Sequence, residues 1–273
     1  MTPKKALCIH DLSTVGRSSL RIITPTISRL GTQVIALPTA VLSAHFALGK
    51  PAMEDLTDFC QSCMEHYRRI GIEFDCVYSG FLSSPQQAQL VKNAYTMCHS
   101  GLKLCDPVMA DNGKLYSTIG DDMIAAFKDL CKERDLITPN PTEALILLDR
   151  DYTQQVFKKE EIAEIAEELG KKYCDVIITG THLDNGDVVC VSYKKNEDKV
   201  SFIPLNYIPV SYPGTGDLFG ACLVGYHTNG YDLPTACEKT ARFIEKVVRQ
   251  SYADDPDVRY GVHIEPMLKY LFD

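Results

Sequence analysis

The sequence has no excess of positive charge: 28 Lys and Arg stand against 36 Asp and Glu, a net charge of −8. Such a chain exerts no long-range attraction on phosphate backbones or anionic lipid, which argues against nucleic acid and membranes as partners. A membrane-spanning run is also missing. Residues 30–49 carry no formal charge, but Pro38 interrupts them and Gln33, Thr39, Ser43 and His45 would be left unsatisfied in lipid, so the stretch reads as buried core or a pocket wall. The apolar run Ala6 to Ile9 is too short for a signal-peptide core, and a cytoplasmic protein is expected. Nor is there a disulfide framework: eleven irregularly spaced cysteines in a chain of 273 residues fit free thiols of a reducing compartment. The one close pair, Cys60-x-x-Cys63, has no second Cys or His pair at zinc spacing and falls at i, i+3 of a helical pattern, which predicts core thiols. No repeat, low-complexity tract or Gly/Ser/Pro linker divides the chain, so one domain over residues 1–273 is expected.

Two periodicities alternate in what remains. Apolar residues at 56, 59, 60, 63, 64, 67 and 70, and again at Met123, Ile124, Phe127, Leu130 and Cys131, recur with helical spacing. Between such helices lie short β-rich runs: Ala6 to Ile9, Gln33 to Leu37, Cys76 to Ser79, Leu102 to Cys105, Leu136 to Thr138 and Val176 to Thr179. Strands that alternate with helices build βαβ units, hence a mostly parallel sheet covered on both faces. Val188 to Tyr193 and Val200 to Ile203 flank a charged turn and read as an antiparallel hairpin at a sheet edge. Ser84-Pro85 and Asn140-Pro141 with Glu143 carry helix-start chemistry.

In an open α/β sheet, ligands bind outside the carboxyl ends of the strands. The residues expected there are His10-Asp11, Thr39, Ser79-Gly80-Phe81, Asp106, Thr138-Pro139-Asn140 and Thr179-Gly180-Thr181. Asp217 draws attention for another reason: it is the single formal charge in the 32 residues from Val200 to Tyr231. It lies in Pro213-Gly-Thr-Gly-Asp-Leu-Phe-Gly220, which ends a loop and opens an apolar helix, so the amides of Gly214 to Asp217 would point from a helix N-terminus toward an anion. The competing reading makes Asp217 an ordinary first-turn acid and the glycines a simple bend. The glycine spacing misses the dinucleotide-binding pattern by one residue, and no Walker A box exists, since Gly49-Lys50, Gly113-Lys114 and Gly170-Lys171 are each followed by the wrong residue.

A carboxylate beside anion-binding amides suits deprotonation of a hydroxyl that attacks a phosphoryl group, and phosphoryl transfer normally needs Mg²⁺ on oxygen ligands. Asp106, Asn140 and Glu143 are candidates for that shell; equally, Asp106 reads as a turn residue before Pro107, and Asn140 with Glu143 as a helix cap and its capping-box acid.

These residues resemble the ribokinase-like superfamily and, within it, the vitamin B6 (pyridoxal/pyridoxamine) kinases. The resemblance rests on Pro38-Thr-Ala-Val-Leu-Ser-Ala-His45, Tyr78-Ser-Gly-Phe-Leu82, Cys105-Asp-Pro-Val-Met-Ala-Asp111, Ile137-Thr-Pro-Asn140 with Glu143, Val176-Ile-Ile-Thr-Gly180 and Gly214-Thr-Gly-Asp217, and runs nearly end to end. It implies a three-layer α/β/α sandwich that phosphorylates a hydroxymethyl group on a pyridine ring from ATP. Asp217 would be the general base, with Gly214, Thr215 and Gly216 as the anion hole. Asp106, Asn140, Glu143 and Thr138 would surround Mg²⁺, and Asp106, Thr138 and Thr179 match the K⁺ positions of the branch. Thr179 and Thr181 fit phosphate contacts; Tyr207 and Ile208 fit an adenine wall. Asp11, Thr39, His45, Phe81 and Tyr116 match the vitamin side, with residues 111–117 as a flap that excludes water. Relatives usually form homodimers.

Two departures bear on specificity: Asp11 stands where many B6 kinases have serine, and Phe46 where many have threonine. An acid at position 11 would pair with a protonated ring nitrogen. Hydroxymethylpyrimidine kinases of thiamine synthesis, which place an acid near there, are the rival enzyme reading, although their glycine-rich stretch after the first strand is absent. A non-catalytic vitamer- or nucleotide-binding protein of the same fold is the rival from another class.

Overall fold

The computed structural model describes residues 2–132, 134–206, 208–255 and 257–272. Apolar alternation decides how its central strands are buried. In β1 (Lys5–Ser13), Leu7 and Ile9 face one helical layer while Ala6 and Cys8 face the other. The same two-sided burial recurs in β4 (Cys76–Ser79) and β5 (Leu102–Cys105), as a parallel sheet covered on both faces requires.

The remaining strands are β2 (Gln33–Leu42), β3 (Met53–Asp55), β6 (Ala110–Asp111), β7 (Lys114–Leu115), β8 (Leu136–Ile137), β9 (Val156–Phe157), β10 (Asp175–Leu183), β11 (Val188–Lys194) and β12 (Lys199–Leu205). The main sheet has the order β12-β11-β10-β8-β5-β4-β1-β2-β3, with β9 pairing β10. Its centre is parallel, and β11 and β12 form the expected antiparallel edge hairpin. The opposite edge also ends antiparallel, with β3 on β2, which the hydropathy pattern does not announce because all three residues of β3 are exposed. Residues 111–117 hold most of a separate two-stranded ribbon, β6 with β7.

Helices α2 (Thr57–Arg69), α3 (Pro85–Tyr95), α4 (Asp121–Leu130), α5 (Pro141–Leu147) and α6 (Lys159–Lys172) cover one face. Helices α1 (Leu20–Arg29), α7 (Thr215–Thr228) and α8 (Leu233–Asp254) cover the other. The result is a three-layer α/β/α sandwich. Helix α2 buries Cys60 and Met64, and α4 buries Met123, Phe127 and Leu130, the stripes their periodicity predicts. Helix α7 is buried nearly all round, consistent with its almost uncharged sequence. All eleven cysteines are free, ten of them buried, and the Cys60 thiol donates to the Pro38 carbonyl at 3.2 Å. Among the described residues no helix is long and apolar enough to cross a membrane.

Candidate active site

A cavity of about 840 Å³ opens at the carboxyl ends of the parallel strands. Sheet order spreads its wall: β1 supplies Asp11, β2 ends at Leu42, the loop after β4 gives Phe81, the loop after β5 gives Asp106, the loop after β8 gives Thr138, and β10 gives Thr179. Beyond β10 the wall continues through Leu205, Ile208 and Val210, with Ile244 and Val248 from α8.

Asp217 sits in the first turn of α7, between these two flanks. Gly214 precedes the helix at φ +82°, and a Cβ there would lie 2.1 Å from the Arg17 carbonyl oxygen, so only glycine lets the loop before α1 pack this closely. At Gly216 a Cβ would meet nothing nearer than Asp106 Oδ2 at 3.9 Å. The glycine therefore leaves room for a ligand beside that carboxylate. The first intrahelical bond is Leu218 N–H to the Gly214 carbonyl, which leaves the amides of Thr215, Gly216 and Asp217 without helical acceptors. The Thr215 hydroxyl donates back to the Tyr212 carbonyl at 3.1 Å and steadies the loop.

Burial pushes the Asp217 carboxyl up to about 7, with the Asp11 charge adding to the rise and the Ser19 amide, which donates to Oδ2 at 2.7 Å, opposing it. His10 Nδ1 is 3.8 Å from Asp217 Oδ1, but burial lowers the imidazole to about 3, so this contact is not an ion pair at neutral pH. Burial and the Glu143 and Asp217 charges hold Asp106 well above the carboxylate range. Burial also raises Glu143, against the three backbone amides that donate to it. Tyr116 follows the ribbon, and burial, with the Glu143, Asp111, Asp106 and Asp217 charges adding to it, keeps its hydroxyl protonated.

The expected residues are sorted by this geometry. Asp11, His45, Phe81, Tyr116, Asp106, Thr138, Asn140, Glu143, Thr179, Ile208, Gly214, Thr215, Gly216 and Asp217 all line the one cavity. Thr39 does not: it is fully buried, and its hydroxyl donates to the Phe81 carbonyl at 3.0 Å, so it braces the wall from behind. Thr181 is also outside the lining and fully buried. A register shift between Ile178 and Thr181, with Gly180 at φ +57°, breaks the alternation that would have put residues 179 and 181 on one face. Tyr207 lies outside the described residues.

Asn140 and Glu143 form a full capping box: Asn140 Oδ1 accepts the Glu143 amide at 3.0 Å and Glu143 Oε2 accepts the Asn140 amide at 2.9 Å. Glu143 Oε1 takes the Met109 amide at 3.0 Å, and Asn140 Nδ2 donates to the Ala110 carbonyl at 2.7 Å. Both residues are thus anchored within the fold while lining the cavity. Ser84 precedes α3 as expected but makes no side-chain cap bond; the Gln87 side chain accepts the Ser83 amide instead.

Sequence reasoning passed over two residues. Arg259 is the one Arg or Lys side chain among the described lining residues, and Asp257 engages it at 2.7 Å. It arrives from the far C-terminal region, which no local pattern connects to the site. Ser19 precedes α1 and looks like an ordinary cap in sequence, yet its amide is the hydrogen-bond donor to Asp217.

The chain is similar to known proteins over nearly its whole length. The phosphomethylpyrimidine kinase family profile matches residues 26–260. A Bacteroides thetaiotaomicron protein assigned to those kinases, in a crystal form with pyridoxal, is 34% identical, with a TM-score of 0.94 over 99% of this chain and 96% of its own. Pyridoxal kinase from Lactobacillus plantarum is 27% identical, with a TM-score of 0.91 over 99% of this chain and 97% of its own. A pyridoxal kinase of Burkholderia lata is 26% identical over 91% of this chain and 89% of its own length. The chain belongs to the phosphomethylpyrimidine kinase family. It has the ribokinase-like fold and is a phosphotransferase with an alcohol group as acceptor.

Proposed function

We propose that this chain, as one domain, phosphorylates the 5′-hydroxymethyl group of a vitamin B6 vitamer from ATP. The observation that carries the reading is Asp217, buried to a near-neutral pKa at the head of α7, beside free amides and between an aromatic wall and an apolar nucleotide-sized flank. A general base works best with a pKa near the operating pH. Asp217 takes the hydroxyl proton as the alcohol oxygen attacks the terminal phosphorus of ATP, and ADP leaves. The amides of Gly214, Thr215 and Gly216 face the charge that builds on the transferred group and need no reorganisation to do so. The Tyr116 ribbon closes over the reacting groups and keeps water out.

Mg²⁺ on the nucleotide would neutralise phosphate charge. The donor set fits it: the Asp106 carboxyl makes no side-chain hydrogen bond, and Thr138 Oγ1 is buried without a partner. Mg²⁺ commonly takes one or two carboxylates plus phosphates and water, so Asp106 would be its protein ligand, with the Glu143 carboxyl within electrostatic reach of Asp106. Thr138 and Thr179, with Asp106, would serve K⁺. On the acceptor side, Phe81, Phe46 and His45 line the cavity and would border the ring. We also propose a cytoplasmic homodimer.

Support for pyridoxal comes from the relative crystallised with it. The family description favours hydroxymethylpyrimidine as the second reading. ADP release from Mg-ATP with K⁺, measured for pyridoxal, pyridoxamine, pyridoxine and hydroxymethylpyrimidine beside an Asp217→Asn control, separates them. Turnover of a B6 vitamer that vanishes in the control supports the proposal. Turnover of the pyrimidine alone moves the enzyme to thiamine synthesis, and ligand binding without product makes it a binding protein.

A further inference from the structure

Ser19 holds a backbone conformation that serine avoids, φ +48° and ψ −136°. At the residue before a helix the hydroxyl ordinarily accepts an amide of the first turn, yet Ser19 makes no such bond. Its hydroxyl donates instead to Asp11 Oδ1, while Ser13 Oγ donates to Asp11 Oδ2 at 2.9 Å. Both oxygens of Asp11 are therefore engaged in the cavity wall before any ligand arrives. The same conformation turns the Ser19 amide onto Asp217 Oδ2 at 2.7 Å. Residues in such strained regions persist where their surroundings over-determine them, and they gather at functional sites. Here the surroundings are the Asp11 latch and the close packing of Arg17 and Ser18 on Gly214.

On the reading of Asp217 as the base, we infer that Ser19 is a positioning residue whose strained backbone, latched by Asp11, fixes Asp217 Oδ2 and leaves Oδ1 to meet the hydroxyl. Asp11 then acts on the base through Ser19 in addition to lining the ring pocket. The departure at position 11 and the conformation at position 19 become one device.

Steady-state kinetics and thermal unfolding of Ser19→Ala, Ser19→Gly and Asp217→Asn test it. Alanine keeps the Cβ but loses the latch, so its backbone relaxes to negative φ and the amide swings away; kcat is expected to fall about tenfold or more while both KM values stay within about twofold. Glycine adopts positive φ freely, keeps the amide on Asp217 without the latch, and is expected to recover most of that loss. Full rate in Ser19→Ala beside an inactive Asp217→Asn overturns the role of Ser19 and leaves the base intact. Ser19→Gly as slow as Ser19→Ala also overturns it, because the hydroxyl and not the amide direction would then matter. Full rate in Asp217→Asn overturns the base and the positioning role together.

Discussion

Replacing Asp217 by asparagine pits catalysis against stability. Burial raises the carboxyl from its ordinary 3.8 to about 7. At about 1.4 kcal/mol for each tenfold, the gap corresponds to about 4 kcal/mol of folding free energy, an upper bound because solvent reaches part of the side chain. The folded protein holds this proton more tightly than the unfolded chain does. Stability therefore falls as pH rises from 3.8 toward 7, and the penalty is complete above that window. Asparagine keeps an oxygen for the Ser19 amide and has no charge to desolvate. At pH 8 the ligand-free variant is expected to be more stable than the wild type by about 2 to 4 kcal/mol, a gain that shrinks toward zero near pH 4. Turnover falls by about a hundredfold or more. Urea unfolding at pH 8, 6.5 and 5, with kcat measured on the same preparations, checks both halves. A variant no more stable than wild type at pH 8, or a gain that does not change with pH, would refute the burial argument.

Gly214→Ala forces a Cβ to within 2.1 Å of the Arg17 carbonyl oxygen at φ +82°, so a loss of about 1 to 3 kcal/mol in urea unfolding and a reduced kcat are expected together. Thr138→Val removes a hydroxyl that makes no hydrogen bond, so stability should stay within about 1 kcal/mol while the response to K⁺ weakens; an unchanged K⁺ titration removes Thr138 from that role. Phe46 is 41% exposed at the cavity, and Phe46→Thr should change the ratio of kcat/KM values among the three vitamers by up to about tenfold with little effect on Tm.

Much of the architecture was legible in the sequence because its signals are local. Leu7 and Ile9 alternate with Ala6 and Cys8, and a lone acid in an uncharged glycine-containing loop marks the head of α7. What escaped depends on tertiary register. Strands β1 and β2 run past Ile9 and Leu37 to pair Ser13 with Leu42, which puts Asp11 and Thr39 inside strands. The bulge around Gly180 turns Thr181 away from the cavity. For Asn140 and Glu143, cap and ligand demand the same residue types at the same spacing, and the hydrogen bonds show that the cap is formed. The φ of Ser19 and the approach of Arg259 from the C-terminal region leave no mark in the sequence at all.

The unfavourable features of the site converge on the contact between α1 and α7. A strained Ser19, a left-handed Gly214 and a buried Asp217 carboxyl meet at the adjoining heads of these two helices. Away from the heads the two helices are packed closely. A Cβ at Gly225 would lie 2.2 Å from Leu30 Cδ1, and Ile22, Ile23 and Ile27 share one core with Leu218, Cys222 and Val224. At the far end, Thr32 and Thr228 share a hydrogen bond at 2.7 Å and Asn229 Nδ2 donates to the Leu30 carbonyl at 2.6 Å. Close-packed interiors transmit strain without relaxing it. A rigid α1–α7 pair can therefore hold at its cavity end a geometry that no isolated loop would keep, and the glycine at position 225, at the other end of the pair, belongs to the support of Asp217.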